Sequence, residues 1–179
     1  MSTEKKLLKG ARAFDRGSLA EIYDQYSPGL YRYAIRLLGD SNQAEECVAE
    51  TFSRFLQVIK RGSGPREHLQ AYLYRIAHNW VTDQYRNQSA LPLDPDYEIE
   101  GDPDSDPQLS GSDVFLKDQV RRALMQLTPN QRQVIILKFL EGWNNAEIAK
   151  AMKKPVGAIK SLQHRALAAL NRLLAEYYE

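Results

Sequence analysis

The stretch from Asn87 to Asp113 constrains this chain more than any other feature. It holds eight acidic residues, Asp94, Asp96, Glu98, Glu100, Asp102, Asp104, Asp106 and Asp113, and no Lys or Arg. Pro92, Pro95, Pro103 and Pro107 punctuate it, together with Gly101 and Gly111. With so little apolar content it cannot bury enough surface to offset its conformational entropy. Residues 89–111 therefore read as an acidic, extended linker between an N-terminal unit, 1–88, and a C-terminal unit, 112–179. Each unit is small enough to lie near marginal stability. The expectation is of two units that fold independently and reorient on the tether.

The segment also disguises the charge of the rest. The 179-residue chain carries +1 overall, so an excursion of −8 in the middle leaves +9 elsewhere. Basic units joined by an acidic segment suit a polyanionic partner. Hydrophobic residues make up 43%, enough for a core, while no apolar run approaches the roughly 20 residues that span a bilayer. The start, Met1-Ser2-Thr3-Glu4-Lys5-Lys6, is charged and lacks a signal-peptide core. One cysteine, Cys47, excludes an internal disulfide framework and a four-cysteine metal site, and reads as a small core residue. The expectation is a cytoplasmic protein with no cofactor, no metal and no catalytic residue. His68, His78 and His164 are scattered, and no glycine-rich phosphate loop is present.

Apolar residues recur at helical spacing in both units, and no strand alternation competes with them. Leu19, Ile22, Tyr23 and Tyr26 predict a short helix ended by Ser27-Pro28-Gly29. Leu30, Tyr33, Ala34, Leu37 and Leu38 predict a second, stopped at Gly39. Asp40 caps a third, with Ala44, Val48, Phe52, Phe55, Leu56 and Ile59 on one face. A Gly-Ser-Gly-Pro loop at 62–65 leads to a fourth, about Glu67 to Asn87. The fold class is all-α: two small helical domains joined by the acidic linker.

The C-terminal unit reads as a helix-turn-helix. Thr128-Pro129-Asn130-Gln131 and Asn144-Asn145-Ala146-Glu147 are both capping boxes, each with a Gln or Glu three residues after its cap. Lys153-Lys154-Pro155 breaks the pattern, and Pro155 opens the next helix. Ile159, Leu162, Ala166, Ala169, Leu170 and Leu173 fall on one side of that helix. Lys160, Ser161, His164 and Arg165 lie elsewhere on its surface. They are the candidates to enter a duplex groove, with Lys153 and Lys154 approaching phosphates at the turn.

Three blocks in this order resemble the small two-domain extracytoplasmic-function (ECF) class of bacterial sigma factor. Gly39 to Phe52 resembles the family's polymerase-binding helix. Tyr72 to Asp83 resembles its promoter-melting helix, and Leu127 to Leu170 its −35-reading domain. The resemblance implies a sigma region 2-like bundle and a sigma region 4-like helix-turn-helix. It further implies a factor that binds core RNA polymerase, directs promoter recognition and DNA melting, and starts transcription without being an enzyme. Glu45, Glu46 and Glu50 are then the polymerase-binding candidates, since an acidic helix face suits a basic partner; a merely solvated face is the other reading. Arg61, Arg66, Asn79, Trp80, Asp83 and Arg86 are the candidates for the −10 element. Rings stack on unpaired bases there and cations hold phosphates. Tyr72 and Ile76 read as core instead. Lys153, Lys154, Lys160, Ser161, His164 and Arg165 become the −35 candidates. Lys153 departs from the family by standing where the turn often has Gly, and Ala49 stands where Gln is usual. An anti-sigma factor covering these faces is a further partner the resemblance admits. The alternative is a stand-alone helix-turn-helix regulator whose N-terminal domain dimerises or senses a signal.

Overall fold

A computed structural model of the chain describes residues 2–88 and 111–176, with the side chains of Tyr85, Gln88 and residues 111–118 excepted. Most of the acidic segment thus lies outside the described residues. Among those residues the structure is helical throughout, with no strand.

Helix α1 (Thr3–Arg12) is one the reading above did not foresee. Ser2 caps it, accepting from the Lys5 amide, and it buries Leu7, Leu8 and Ala11. Those three share one face at three- and four-residue spacing, a signal overshadowed by the surrounding charge. The Glu4 carboxylate accepts the Leu69 amide at 2.6 Å, so the chain's first turn satisfies an otherwise orphaned donor at the start of α4 (Leu69–Gln88).

The break expected at Ser27-Pro28-Gly29 does not occur. One helix, α2, runs from Arg16 to Leu38 straight through Pro28. An interior proline costs about 3 kcal/mol. Burying Ile22, Leu30, Tyr33, Ala34 and Leu37 along the continuous helix returns more, at about 1.5–3 kcal/mol for each large side chain. Gly29 adds a packing reason. A Cβ there would stand 2.5 Å from the Tyr74 hydroxyl, so the glycine lets α4 approach rather than ending α2. The helix stops at Gly39 in the left-handed conformation, φ 70°. Asp40 then caps α3 (Ser41–Lys60), its carboxylate accepting the Asn42 and Gln43 amides as the sequence predicts.

The second unit contains α5 (Gly111–Gln126), α6 (Pro129–Ile135), a π-helical turn (Ile136–Leu140), α7 (Asn145–Met152) and α8 (Val156–Ala175). Both capping boxes form, Thr128 with Gln131 and Asn144 with Glu147. Buried Arg132 donates to the carbonyls of Leu124, Met125 and Leu127 at 2.8–3.0 Å, closing the C-terminal end of α5. A small cluster of Leu124, Leu127, Ile135 and Ala166 joins α5, α6 and α8.

The two units do not keep separate cores. Val134, Ile136, Leu137, Trp143, Ile148, Ala151 and Ile159 belong to the same buried cluster as the interior of α1–α4. Helix α4 packs against α7. Tyr74 bridges the units, 4.9 Å from Trp143 and 5.4 Å from Tyr33 between ring centroids, edge-on to both.

Candidate nucleic-acid interface

On α8, Lys160, Ser161, His164 and Arg165 form one shallow exposed patch. The apolar stripe makes this possible: Ile159 and Ala166 are fully buried, so the residues between them turn outward. Gln163 locks the helix to its neighbour by donating to Asn145 Oδ1 at 2.7 Å. Lys153 and Lys154 occupy the turn between α7 and α8. Lys153 caps α7 in the left-handed conformation, φ 54° and ψ 47°, which is the physical reason a glycine suits that position.

On α4, Asn79, Asp83 and Arg86 are exposed and share one stripe at intervals of four and three. Asn79 and Arg86, with Arg75, His78 and Thr82, line a cleft of about 430 Å³ whose far wall is Thr128, Pro129, Asn130, Gln133, Ala151 and Met152. Arg61 and Arg66 are exposed in the loop before α4, and Asn79 lies ten residues, or about 15 Å of helix, beyond its first residue. Five of the six −10 candidates therefore fall into two groups.

Trp80 joins neither. It is only 6% exposed and packs in the core with Leu73, Ala77 and Val81. Its spacing of four from Tyr72 and Ile76 was a core period, and burial of the indole outweighs the stacking role expected from resemblance. Arg75 stacks over the half-buried Tyr72 ring at 5.6 Å.

On α3, Glu45 and Glu46 are exposed, and Glu50 is half-buried and paired with Arg54 at 3.1 Å. Glu45 borders a groove of about 350 Å³ between α2 and α3, lined by Tyr23, Ser27, Pro28, Tyr31, Arg32 and Val48. Tyr23 is half exposed there, its ring 4.9 Å from Phe52. The face thus offers carboxylates beside an aromatic. Cys47 points the other way, fully buried, and burial pushes its thiol up to about 12, so it is inert at neutral pH.

The residues that join the two units escaped the sequence reading. Glu141 accepts from Arg36 at 2.6 Å and lies 3.6 Å from Arg32, with only 6% of its side chain exposed. His78 sits beside the Tyr33 hydroxyl at 3.0 Å. Burial first, and the Arg132 charge second, lower its basicity to about 4. Trp143, directly after Gly142 in an otherwise polar turn, was the one visible signal of this contact. Among the described residues no group of His, Cys, Asp or Glu could hold a metal ion.

Residues 22–90 match Sigma-70 region 2, and residues 117–170 match Sigma-70, region 4. The chain is 30% identical over 169 residues to the ECF RNA polymerase sigma factor SigL of Mycobacterium tuberculosis, covering 94% of this chain and 96% of SigL. The chain belongs to the ECF sigma factors. This ECF sigma factor is also 35% identical over 178 residues to BldN of Streptomyces coelicolor, an alignment that takes in 96% of the chain and 66% of BldN. Two solved structures share its fold. CnrH, solved with the cytosolic domain of CnrY, superimposes with a TM-score of 0.73 at 19% identity, over 98% of this chain and 99% of that one. The sigma factor RpoE of Bartonella quintana, solved with the anti-sigma factor NepR, gives 0.62 at 26% identity over 87% and 96%.

Proposed function

We propose that this ECF sigma factor docks on core RNA polymerase through α3, reads the −35 duplex with α8 and engages the melted −10 strand with α4. The division of labour follows residues 1–88 and 112–179, with 89–111 as connector. The observation that carries the reading is the exposed Lys160, Ser161, His164 and Arg165 patch, held outward by the buried face of α8. Lys153 and Lys154 add phosphate contacts beside it. Phosphate contacts set register, and the few side chains that reach base edges set sequence. Asn79, Asp83 and Arg86, with Arg61 and Arg66 upstream, are the −10 residues. Glu45, Glu46 and Glu50 orient the factor on a basic polymerase surface.

The factor acts as a binder and melter of DNA, not as a catalyst, and works in the cytoplasm. No helix among the described residues is long and apolar enough to cross a membrane. An anti-sigma factor is a fitting regulator, because RpoE, similar to this chain in fold and sequence, was solved bound to one. The exposed Tyr23 and the groove beside Glu45 are where such a partner would compete with polymerase.

The test is capture of bacterial core RNA polymerase by the purified chain, beside the Glu46→Lys, Glu50→Lys double variant. Capture by the native protein and its loss in the variant support the reading. Tight duplex binding with no polymerase capture would instead favour a stand-alone regulator.

A further inference from the structure

The loop that carries two of the −10 candidates is not held in place by its own sequence. Residues 61–68 join α3 to α4 and include Arg61 and Arg66, both exposed. Gly62 and Gly64 sit at φ 79° and 116°, and glycine leaves a chain many alternative paths. The first half folds back on α3. There the Gly62 amide donates to the Ile59 carbonyl at 3.0 Å and the Ser63 amide to the Val58 carbonyl at 3.1 Å. In the second half the attachments come from a different element, α1.

Two side chains of α1 make them. Arg12 Nη2 donates to the Pro65 carbonyl at 2.7 Å, across 53 positions of sequence. Glu4 Oε1 accepts the Leu69 amide at 2.6 Å. The first bond grips the peptide group that joins Pro65 to Arg66, so it fixes the backbone from which the Arg66 side chain departs. The second closes the loop beside His68, whose φ of 57° is rare for a residue other than glycine and persists where neighbours hold it. Helix α1 is a firm support because Leu7, Leu8 and Ala11 are buried in the core. The Arg12 bond itself is exposed, where water would satisfy the carbonyl equally well. An exposed charged contact of this kind adds little stability. What it adds is a place for the next residue.

We propose that Arg12 and Glu4 are positioning residues for −10 recognition, holding the 61–68 loop so that Arg66 meets the −10 strand from one preset location. This rests on the −10 assignment of Arg61 and Arg66 made above. A loop ordered before DNA arrives does not have to be ordered by binding, and the difference appears as affinity and as discrimination between bases.

The experiment offers the full chain, assembled on bacterial core RNA polymerase, a pool of fork-junction DNA. The pool is randomised in the −35 duplex and along the single-stranded −10 segment, and the bound molecules are sequenced. Arg12→Ala should weaken base preference about threefold at the −10 positions that Arg66→Ala also affects, the worth of one exposed charged contact. Preferences in the −35 duplex should not change. Arg12→Lys, which keeps a donor for Pro65, should restore the preference. Lys9→Ala removes an equal charge from an exposed position one turn earlier on α1 and should have no effect. In parallel, a spin label is placed on Glu67→Cys, exposed between the two anchors, while Cys47 is buried and escapes labelling. The label should gain mobility in Arg12→Ala and in Glu4→Ala, but not in Glu4→Gln, whose amide oxygen still accepts from Leu69.

Unchanged mobility in Arg12→Ala overturns the anchor. Greater mobility with −10 preference intact overturns its part in recognition. Loss of preference in Lys9→Ala equal to that in Arg12→Ala makes the effect one of charge alone and overturns the positioning role. An Arg61→Ala, Arg66→Ala double variant with −10 preference intact removes the −10 reading of the loop, and the proposal with it. That failure is recognised by its appearance while both anchors are in place.

Discussion

Arg36 donates to Glu141 at 2.6 Å, joining side chains 105 residues apart in sequence. The bond ties α2 to the turn beyond the π-helical segment, and it is the shortest charged link between the two sigma units in the described residues. Glu141 is nearly buried, with Arg32 as a second, longer partner. Removing Arg36 alone should cost about 2 kcal/mol of stability, in the range of a charge-assisted hydrogen bond. Replacing both partners, Arg36→Met with Glu141→Leu, should cost less than either single change, because no buried charge is left behind. Urea midpoints of the three variants check this.

Acid should loosen the same interface through His78. The imidazole is held neutral by burial, with its basicity lowered to about 4 from an ordinary 6.5. It faces the Tyr33 hydroxyl from α2 and Arg132 from α6, and shares its cleft with Arg75 and Arg86. Between these two values the unfolded chain binds the proton and the folded one does not, so stability rises with pH. The contribution is complete above about pH 6.5 and disappears as pH falls to about 4. It amounts to about 3 kcal/mol. Thermal unfolding from pH 7.5 to 4.5 should show the loss, and His78→Phe should flatten the profile over that window.

Gly29→Ala should destabilise the N-terminal unit by about 1–3 kcal/mol, the usual penalty for overpacking. The new Cβ would meet the Tyr74 hydroxyl at 2.5 Å, whereas the ring carbon behind it stands 3.7 Å away. Tyr74→Phe removes the hydroxyl, so the double variant should recover most of the loss. Recovery in chemical denaturation would separate this contact from any effect of helix propensity, which favours alanine.

Lys153→Gly should stabilise the chain by up to about 1 kcal/mol by relieving a left-handed conformation. It should also weaken DNA binding uniformly across sequences and lower the salt slope by about one, as expected for loss of a single phosphate contact. A variant that changes sequence preference instead would make Lys153 a base reader.

Local chemistry was written plainly in the chain. The two capping boxes, Asp40 before α3, Gly39 after α2 and Pro155 before α8 each act on neighbours within four residues, so the sequence announces them. The α8 patch was equally legible, since a helix's apolar stripe dictates which residues face outward. The readings that failed share one cause. Pro28-Gly29 looked like a break, but a long buried stripe carried α2 through it. Trp80 looked like a stacking platform, but its ring is needed inside. Helix α1 lay hidden under charge until its three apolar residues found α2 and α3.

What the sequence by itself determined, then, is that the chain is helical, where its capped helices begin, which faces of α3 and α8 are wet, and that the chain has the order of blocks of an ECF sigma factor. Only the tertiary structure decided that Trp143 would meet Tyr74, that Glu141 would meet Arg36, and that α4 would lie under α6 and α7. Capping and periodicity are short-range, set by bonds three or four residues apart. The contact between the units joins residues about seventy to a hundred positions apart, and many alternative pairings share the same local pattern. Burial of a common core selects among them, and that selection exists only once the chain has folded.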